Sequence, residues 1–307
     1  MIININCDEP KFNYKLNTRD QGIVAVYGVS GSGKSTLLNA LSGLILNVKG
    51  KMDYKKNNLL LQHHGQKICF MSQDPILFPH WTIEQNLNFA LNYSKNTDVQ
   101  LNKLIKKLQC TKLLNKLPSK LSGGEKQRIA LIRTLVLADI DSLILLDEPF
   151  SALDNKMRTI AIKLVEEYKA RNLIFLVSHN LIDLYRISND FIYIENNKIK
   201  HNNSTNEIMK SGFNNLPIAS KINLNEAEHI IYADNVSINL YENNNSSIVY
   251  QLSSIITSIQ NFKEHVILGL KLENNETLFS KITKQSFNRL ALKKELTVFA
   301  NFKATTS

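Results

Sequence analysis

A chain of 307 residues, 43% hydrophobic and 21% charged, has ordinary globular composition and length enough for two domains. Its longest apolar stretches, such as residues 23–27 and 143–146, fall far short of the roughly 20 residues a membrane-spanning helix needs, and Asn4, Asn6, Asp8 and Glu9 interrupt any signal-like N-terminus. The net charge of +10 invites a nucleic-acid reading, but residues 221–307 carry nine Lys/Arg against eight Asp/Glu and the excess upstream forms no dense run, so a solvated basic surface is favoured.

The expectation is a soluble chain that stays in the cytoplasm unless a partner holds it at a membrane. Cys7, Cys69 and Cys110 are scattered, share no metal-ligand spacing, and are expected as small core residues in a reducing compartment.

In chain order, the apolar run 23–27 precedes a Gly/Ser-rich loop, and residues 35–46 place Leu37, Leu38, Leu41 and Leu44 at helical spacing. That predicts strand, loop, helix. The loop, Gly28-Val29-Ser30-Gly31-Ser32-Gly33-Lys34-Ser35-Thr36, satisfies G-x-x-x-x-G-K-[ST]. Its glycines let successive N–H groups converge on phosphate oxygens, and the following helix points its positive end at the same anion. Lys34 would supply a mobile charge for the β- and γ-phosphates, and Ser35 a hydroxyl for Mg2+. The pattern implies nucleoside triphosphate chemistry.

Residues 101–117 and 160–171 read as helices. Between them Leu121-Ser122-Gly123-Gly124-Glu125-Lys126-Gln127-Arg128 is a loop with two glycines opening a helix, a second place where amides and a hydroxyl can face an anion. Residues 143–146 are continuously apolar, as in a strand buried on both faces of a parallel sheet. This strand delivers Asp147, expected to hold Mg2+ through water, and Glu148, expected to polarise the attacking water as general base. Residues 173–177 and 191–194 are further strands, the latter followed by a hairpin turn at Glu195-Asn196-Asn197-Lys198.

Strands alternating with helices predict an α/β fold with a largely parallel sheet. Around 202–217 the pattern loosens into Asn, Ser, Gly and Pro, which suggests a domain boundary. Beyond it, residues 248–259, 266–272, 278–282 and 296–302 read as short strands, with one brief helix near 286–292, giving a small, mostly β module. The expected layout is a first domain over 1–215 with a helical subdomain near 74–135, a linker over 216–230 and a second domain over 231–307.

Residues 121–128 resemble the signature motif of ABC ATPases. In that family two subunits face each other head to tail, and the signature of one covers the γ-phosphate held by the other. The resemblance implies ATP as substrate, a homodimer with two composite sites, and Leu121, Ser122, Gly123, Gly124, Glu125 and Gln127 acting in trans. Three further elements agree in order. Gln73 resembles the Q-loop residue that senses Mg2+ and the membrane partner, Ser151-Ala152-Leu153-Asp154 resembles the D-loop, and His179 stands where the family places its switch histidine. Most members stack adenine on an aromatic residue upstream of the P-loop; Phe12 and Tyr14 stand there, with core packing as their other reading.

The wording of residues 27–34 and of Gln73-Asp74-Pro75-Ile76-Leu77-Phe78-Pro79-His80 is similar to the ATPase subunits of molybdate importers. The resemblance implies an integral membrane channel as partner, a periplasmic or extracellular molybdate-binding protein acting indirectly, no nucleic acid, and a place on the cytoplasmic face of the inner (plasma) membrane. Residues 78–81 lie near the surface that receives a coupling helix in such subunits; a core role in the helical subdomain is the other reading. Residues 233–238, 278–283 and 299–304 resemble the regulatory oligonucleotide-fold-like TOBE module and its molybdate-binding Mop version. Where oxyanion-binding relatives offer Arg or Asn, Val249 and Tyr250 stand instead, leaving Thr283 and Lys303 as the residues offering an oxyanion contact.

Import of sulfate, iron or another solute is the alternative within the class. A soluble ABC ATPase acting on nucleic acid or ribosomes, and an oxyanion sensor with an attached ATPase, are alternatives outside it. One cassette and no sustained heptads weigh against the soluble class.

Overall fold

The computed structural model describes residues 1–60, 67–211, 218–224, 227–242, 250–262 and 265–303. Two compact units divide at Ser204/Thr205.

In the first unit, burial pattern separates two kinds of strand. β1 (Ile2–Cys7) and β2 (Phe12–Asn17) alternate exposed and buried residues, as a sheet with one wet face requires, and pair antiparallel with each other. β3 (Gly22–Tyr27) is apolar almost throughout and leads into α1 (Lys34–Leu41). The short strands β4 (Lys49–Tyr54) and β5 (Asn57–Asn58) extend the antiparallel part, and β6 (Ile68–Met71) returns to the parallel part. Three helices follow: α2 (Ile83–Asn92), α3 (Asp98–Lys107) and α4 (Gly123–Leu137). Then β7 (Leu143–Asp147), α5 (Asn155–Glu166), β8 (Leu173–Val177), α6 (Leu181–Ile187), β9 (Asp190–Glu195) and β10 (Lys198–Ser204) complete the unit. Every residue of β7 and β8 is buried.

The strands form one ten-stranded sheet in the order β5-β4-β1-β2-β10-β9-β3-β8-β7-β6, parallel from β9 to β6. Its main core packs β1, β2 and the centre of the parallel sheet against Leu37, Leu38 and Leu41 of α1.

Three helices depart from the expected limits. α1 ends at Leu41 because Gly43 turns left-handed (φ 78°), which leaves Leu44 exposed. The helix expected over 101–117 stops at Lys107, with Gln109 left-handed (φ 54°) and a separate 3-10 turn at Thr111–Leu113. α5 begins earlier than expected because the Asp154 carboxylate caps it, accepting from the Met157 amide at 2.9 Å.

The second unit is α7 (Thr205–Ser211), β11 (Ala219–Leu224), β12 (Ala227–Tyr232), β13 (Ser237–Asn239), β14 (Tyr250–Asn261), β15 (His265–Leu272), β16 (Thr277–Thr283), α8 (Lys284–Arg289) and β17 (Thr297–Phe302). β11 and β12 form an antiparallel hairpin, and the others a five-stranded antiparallel sheet in the order β13-β17-β14-β15-β16. The hairpin corrects the expected linker. Within 216–230, Ile222 and Ile230 are buried, and Ile222 joins the core with Ile231, Val236, Ile256 and Leu268. Residues 212–217, 225–226 and 243–249, including Val249, lie outside the described residues, as does Ala304.

Candidate functional site

Strand register brings the motifs together. Val177 of β8 is aligned with Val26 of β3 on one side and with Asp147 of β7 on the other, while Met71 of β6 is aligned with Leu146. The P-loop from Gly28, Glu148, His179 and Gln73 therefore all leave the sheet within two residues of this row, at the carboxyl ends of its parallel strands. That edge is where open α/β sheets bind ligands.

The P-loop is braced from outside its own sequence. Gly33 is left-handed (φ 109°), and a Cβ there would collide with the Asn197 side chain and approach the Tyr14 hydroxyl. Tyr14 donates its hydroxyl to Gly33 O at 2.8 Å, and the Asn197 amide donates to Ser32 O at 2.8 Å. Lys34 is buried and donates to Gly28 O (2.8 Å) and Val29 O (3.0 Å), so its ammonium lies over the loop. Burial pulls its pKa below the ordinary lysine value, opposed by the charges of Glu148 and Asp147. Val29, Ser30 and Gly31 form an exposed tip, Ser32 is buried, Ser35 is exposed and Thr36 half-buried.

Asp147 and Glu148 are buried. Burial raises both carboxyl pKa values. The Ser35 hydroxyl, Lys34 and His179 lower that of Asp147, and His179, by charge and through its backbone N–H, and Lys34 lower that of Glu148, while Asp147 raises it further. Glu148 is itself left-handed (φ 51°), a strained conformation for a side chain of its size. Its Oε1 is buried without a hydrogen-bond partner among the described residues, as is Ser32 Oγ. His179 Nε2 stands 3.5 Å from that Oε1, on a largely exposed imidazole. Buried oxygens left open in this way are the groups a bound ligand or water satisfies. Ser35 and Asp147, close enough for the hydroxyl to favour the ionised carboxylate, form an oxygen donor pair of the type Mg2+ takes. Gln73 is exposed beyond the end of β6.

The signature motif opens α4 through a capping box. Ser122 Oγ accepts from the Glu125 amide at 3.2 Å, and Glu125 Oε2 accepts from the Ser122 amide at 2.8 Å. Those bonds hold the Glu125 carboxyl below its ordinary pKa. Ser122 and Gly123 are exposed, whereas Leu121 and Gln127 are buried. Gln127 thus corrects its expected role in trans, because its amide is spent within its own chain. Its Nε2 donates to Glu148 O (2.8 Å) and Ser151 Oγ (3.0 Å), and its Oε1 accepts from the Ala152 amide (2.7 Å). A Cβ on Gly124 would lie 2.6 Å from Ala152 O, so the glycine admits the D-loop backbone. Leu153 is half-buried, and Arg158 of α5 pairs with the buried Asp183 of α6, its Nε donating at 2.7 Å.

Phe12 and Tyr14 are both buried with their rings stacked on each other, centroids 4.9 Å apart, and Phe12 also lines the cleft beside Gly31. Beside Gly31 lies a cleft of about 640 Å3 whose walls include Asn6, Asp8, Lys11, Asn13 and Asn197, an amide-rich surface. On the helical subdomain, Phe78, Trp81, Phe89 and Tyr93 form a partly exposed chain of rings 4.5 to 5.3 Å apart. Sequence reading missed the buried Asn86 that fastens this turn. Its Nδ2 donates to the carbonyls of Phe78, Trp81 and Thr82, and its Oδ1 accepts from the Phe78 amide. An Asn four residues beyond the helix-capping Thr82 was the available signal.

In the second unit Thr283 and Lys303 are not brought together, since β16 and β17 are separated by β15 and β14 in the sheet. The Thr283 hydroxyl caps α8, accepting from the Ser286 amide at 3.1 Å and donating to Ser286 Oγ at 3.0 Å. Lys303 is exposed, and the Tyr250 ring stacks on Phe302 with centroids 5.7 Å apart.

Comparison with known proteins agrees with this geometry. Residues 12–151 match the ABC transporter family and residues 246–307 the TOBE domain. The molybdenum import ATP-binding protein ModC of Saccharophagus degradans is 26% identical over an alignment covering 97% of this chain and 95% of that protein. Those of Haemophilus influenzae and Escherichia coli are 37% and 32% identical, with 56% and 63% of their lengths covered. An ATP-binding cassette solved as a dimer in a post-hydrolysis state with ADP and Pi superposes with a TM-score of 0.55 at 24% identity, over 64% of this chain and 89% of that one. The ATP binding subunit of an ABC transporter gives 0.56 at 22% identity, over 65% and 85%. Both share the fold. A P-loop ATPase is the class that fold and site define. Within that class, residues 12–151 match the ABC transporter family and residues 246–307 the TOBE domain, the order of parts the molybdenum import proteins share with this chain.

Proposed function

We propose that this chain is the ATP-hydrolysing subunit of an ABC importer that takes up molybdate, or the chemically similar tungstate, through a partner membrane channel. The observation that carries the chemistry is the single sheet edge where Lys34, Asp147, Glu148 and His179 meet, with Glu148 Oε1 buried and unbonded. The cargo rests on the molybdenum importers that the chain resembles along most of its length.

In this reading the P-loop amides and Lys34 hold the β- and γ-phosphates, and the amide-rich cleft beside Gly31 receives the nucleoside. Ser35 and Asp147, with Gln73 nearby, hold Mg2+, which neutralises phosphate charge when bound. Glu148 accepts a proton from the attacking water, and dehydration keeps its carboxylate basic enough for that task. His179, beside Glu148, orients the γ-phosphate side of the site. Ser122, Gly123 and Gly124 cover the nucleotide of a second copy in a head-to-tail homodimer, and the D-loop from Ser151 to Asp154 crosses between the copies.

The aromatic chain around Phe78 and Trp81 suits a cytoplasmic helix of the channel. No helix among the described residues is long and apolar enough to cross a membrane, so the channel would hold the chain at the cytoplasmic face of the inner membrane. An external molybdate-binding protein would act through the channel. Thr283 and Lys303 would serve anion sensing only weakly, because the threonine hydroxyl is engaged in a helix cap.

Uptake of labelled molybdate in cells lacking this chain tests the cargo. Loss of uptake, with molybdoenzyme activity restored by excess molybdate, is expected. Unchanged molybdate uptake, with loss of sulfate or iron uptake, would transfer the proposal to another solute.

A further inference from the structure

We infer that Gln127 is a positioning residue that sets the backbone of Glu148, and through it ties the state of the signature helix to the general base of the same subunit. The inference rests on reading Glu148 as that base.

Glu148 is held at both ends of its left-handed residue. Its amide donates to Val177 O of β8 at 3.1 Å, which fixes it to the sheet, and its carbonyl accepts from Gln127 Nε2 at 2.8 Å. The same Nε2 reaches Ser151 Oγ, which itself donates to Glu148 O at 3.1 Å, and Gln127 Oε1 takes the Ala152 amide. One buried amide thus uses both donor hydrogens and its acceptor on three consecutive parts of one turn: the base, Ser151 and Ala152. None of its hydrogen bonds among the described residues goes to the P-loop.

Gln127 sits five residues beyond Ser122, the cap of α4, so a rigid helix connects the two. Gly124 packs against Ala152 O from the same helix, which gives the coupling a second point of contact. A tilt of α4 on engaging a neighbour's nucleotide would therefore pull on the Glu148 carbonyl, where a left-handed, strained residue has little freedom to absorb it. By this route each subunit's base responds to the nucleotide held by the other.

The test compares Gln127→Met, Gln127→Glu and Ser151→Ala with Glu148→Gln in the full chain, measuring kcat, KM for ATP, affinity for a non-hydrolysable ATP analogue, and thermal unfolding. Met keeps the length and removes every polar contact. Glu keeps an acceptor for Ala152 but sets a second oxygen against the Glu148 carbonyl. For both, kcat should fall about tenfold to 100-fold while KM and analogue affinity change less than about twofold, because a small misplacement of the base impairs chemistry and leaves the P-loop intact. Ser151→Ala, which leaves the glutamine in place, should lower kcat about threefold.

A folded Gln127→Met with unchanged kcat overturns the inference, and so does a parallel loss of kcat and nucleotide affinity. If Gln127→Met does not fold, unchanged kcat in Ser151→Ala overturns it instead. Glu148→Gln separates this from the reading beneath it: an active Glu148→Gln removes the base assignment, whereas an inactive one beside normal Gln127 variants removes the Gln127 role alone.

Discussion

The edge of the parallel sheet in the first unit and the antiparallel sheet of the second treat polar groups in opposite ways. At the edge, Lys34, Asp147 and Glu148 are buried, Ser32 Oγ and Glu148 Oε1 have no hydrogen-bond partner among the described residues, and Gly33 and Glu148 are left-handed. In the second unit the polar groups close on each other. Thr283 caps α8, Glu276 accepts from Asn223 and Asn274, the buried Ser280 donates to Val236 O, and Gln251 donates to Asn301. Such contacts settle local structure. Left-handed residues occur in both units, Glu148 in the first and Asn275, Ala291 and Glu295 in the second, so it is a strained backbone joined to an unmet buried oxygen that distinguishes Glu148.

The sharpest way to break this comparison is Glu148→Gln. Turnover should fall at least about 100-fold with ATP binding retained, since only the proton acceptor is lost. Because Glu148 is a buried carboxyl beside Asp147, the same variant should also raise the unfolding temperature of the nucleotide-free protein at neutral pH. Normal turnover would remove the base. Lys34→Ala should cost binding itself, about tenfold to 100-fold in ATP affinity by calorimetry, as a charge-assisted phosphate contact disappears.

Acidity gives a finer reading. The Glu148 pKa lies above its ordinary 4.5, so the active carboxylate is lost by protonation at higher pH than for an exposed glutamate. The acid limb of kcat/KM, which reports the free protein, should therefore lie above pH 4.5. For folding the sign is the reverse: a raised carboxyl pKa favours the native state at low pH, and that contribution is lost as pH rises through the folded value. The smallest effect belongs to the second unit. Thr283→Ala should lower stability by about 1 kcal/mol in denaturant unfolding and leave ATP turnover unchanged, as for any helix cap. A change in molybdate affinity instead would return Thr283 to a binding role.

Legibility in the sequence followed the same divide. β3, β7 and β8 were readable because strands buried on both faces are apolar throughout, and the P-loop and signature were readable because only certain residue types permit those backbones. The hairpin of β11 and β12 was hidden by an Asn- and Ser-rich surface, although Ile222 and Ile231 carry its inner face and Ile230 is buried on the other. The inward turn of Gln127 was invisible for another reason. A glutamine on a helix carries no mark of which face it takes, and its place in the signature motif suggested a partner in trans. Phe12 and Tyr14 were ambiguous until the alternation of β2 assigned both to the buried face.

The clasp on the phosphate loop also bears on the order in which the protein is made. All of the glycines of the P-loop lie in the first 33 residues, yet the amide that donates to the Ser32 carbonyl and the side chain that walls Gly33 belong to Asn197. A nascent chain that has emerged only through β8 would contain the whole motif with one side of it unsupported. Competence to hold nucleotide is thus dated by the last strands of the cassette rather than by its first motif, a contact spanning some 160 residues that ranks among the late events of folding.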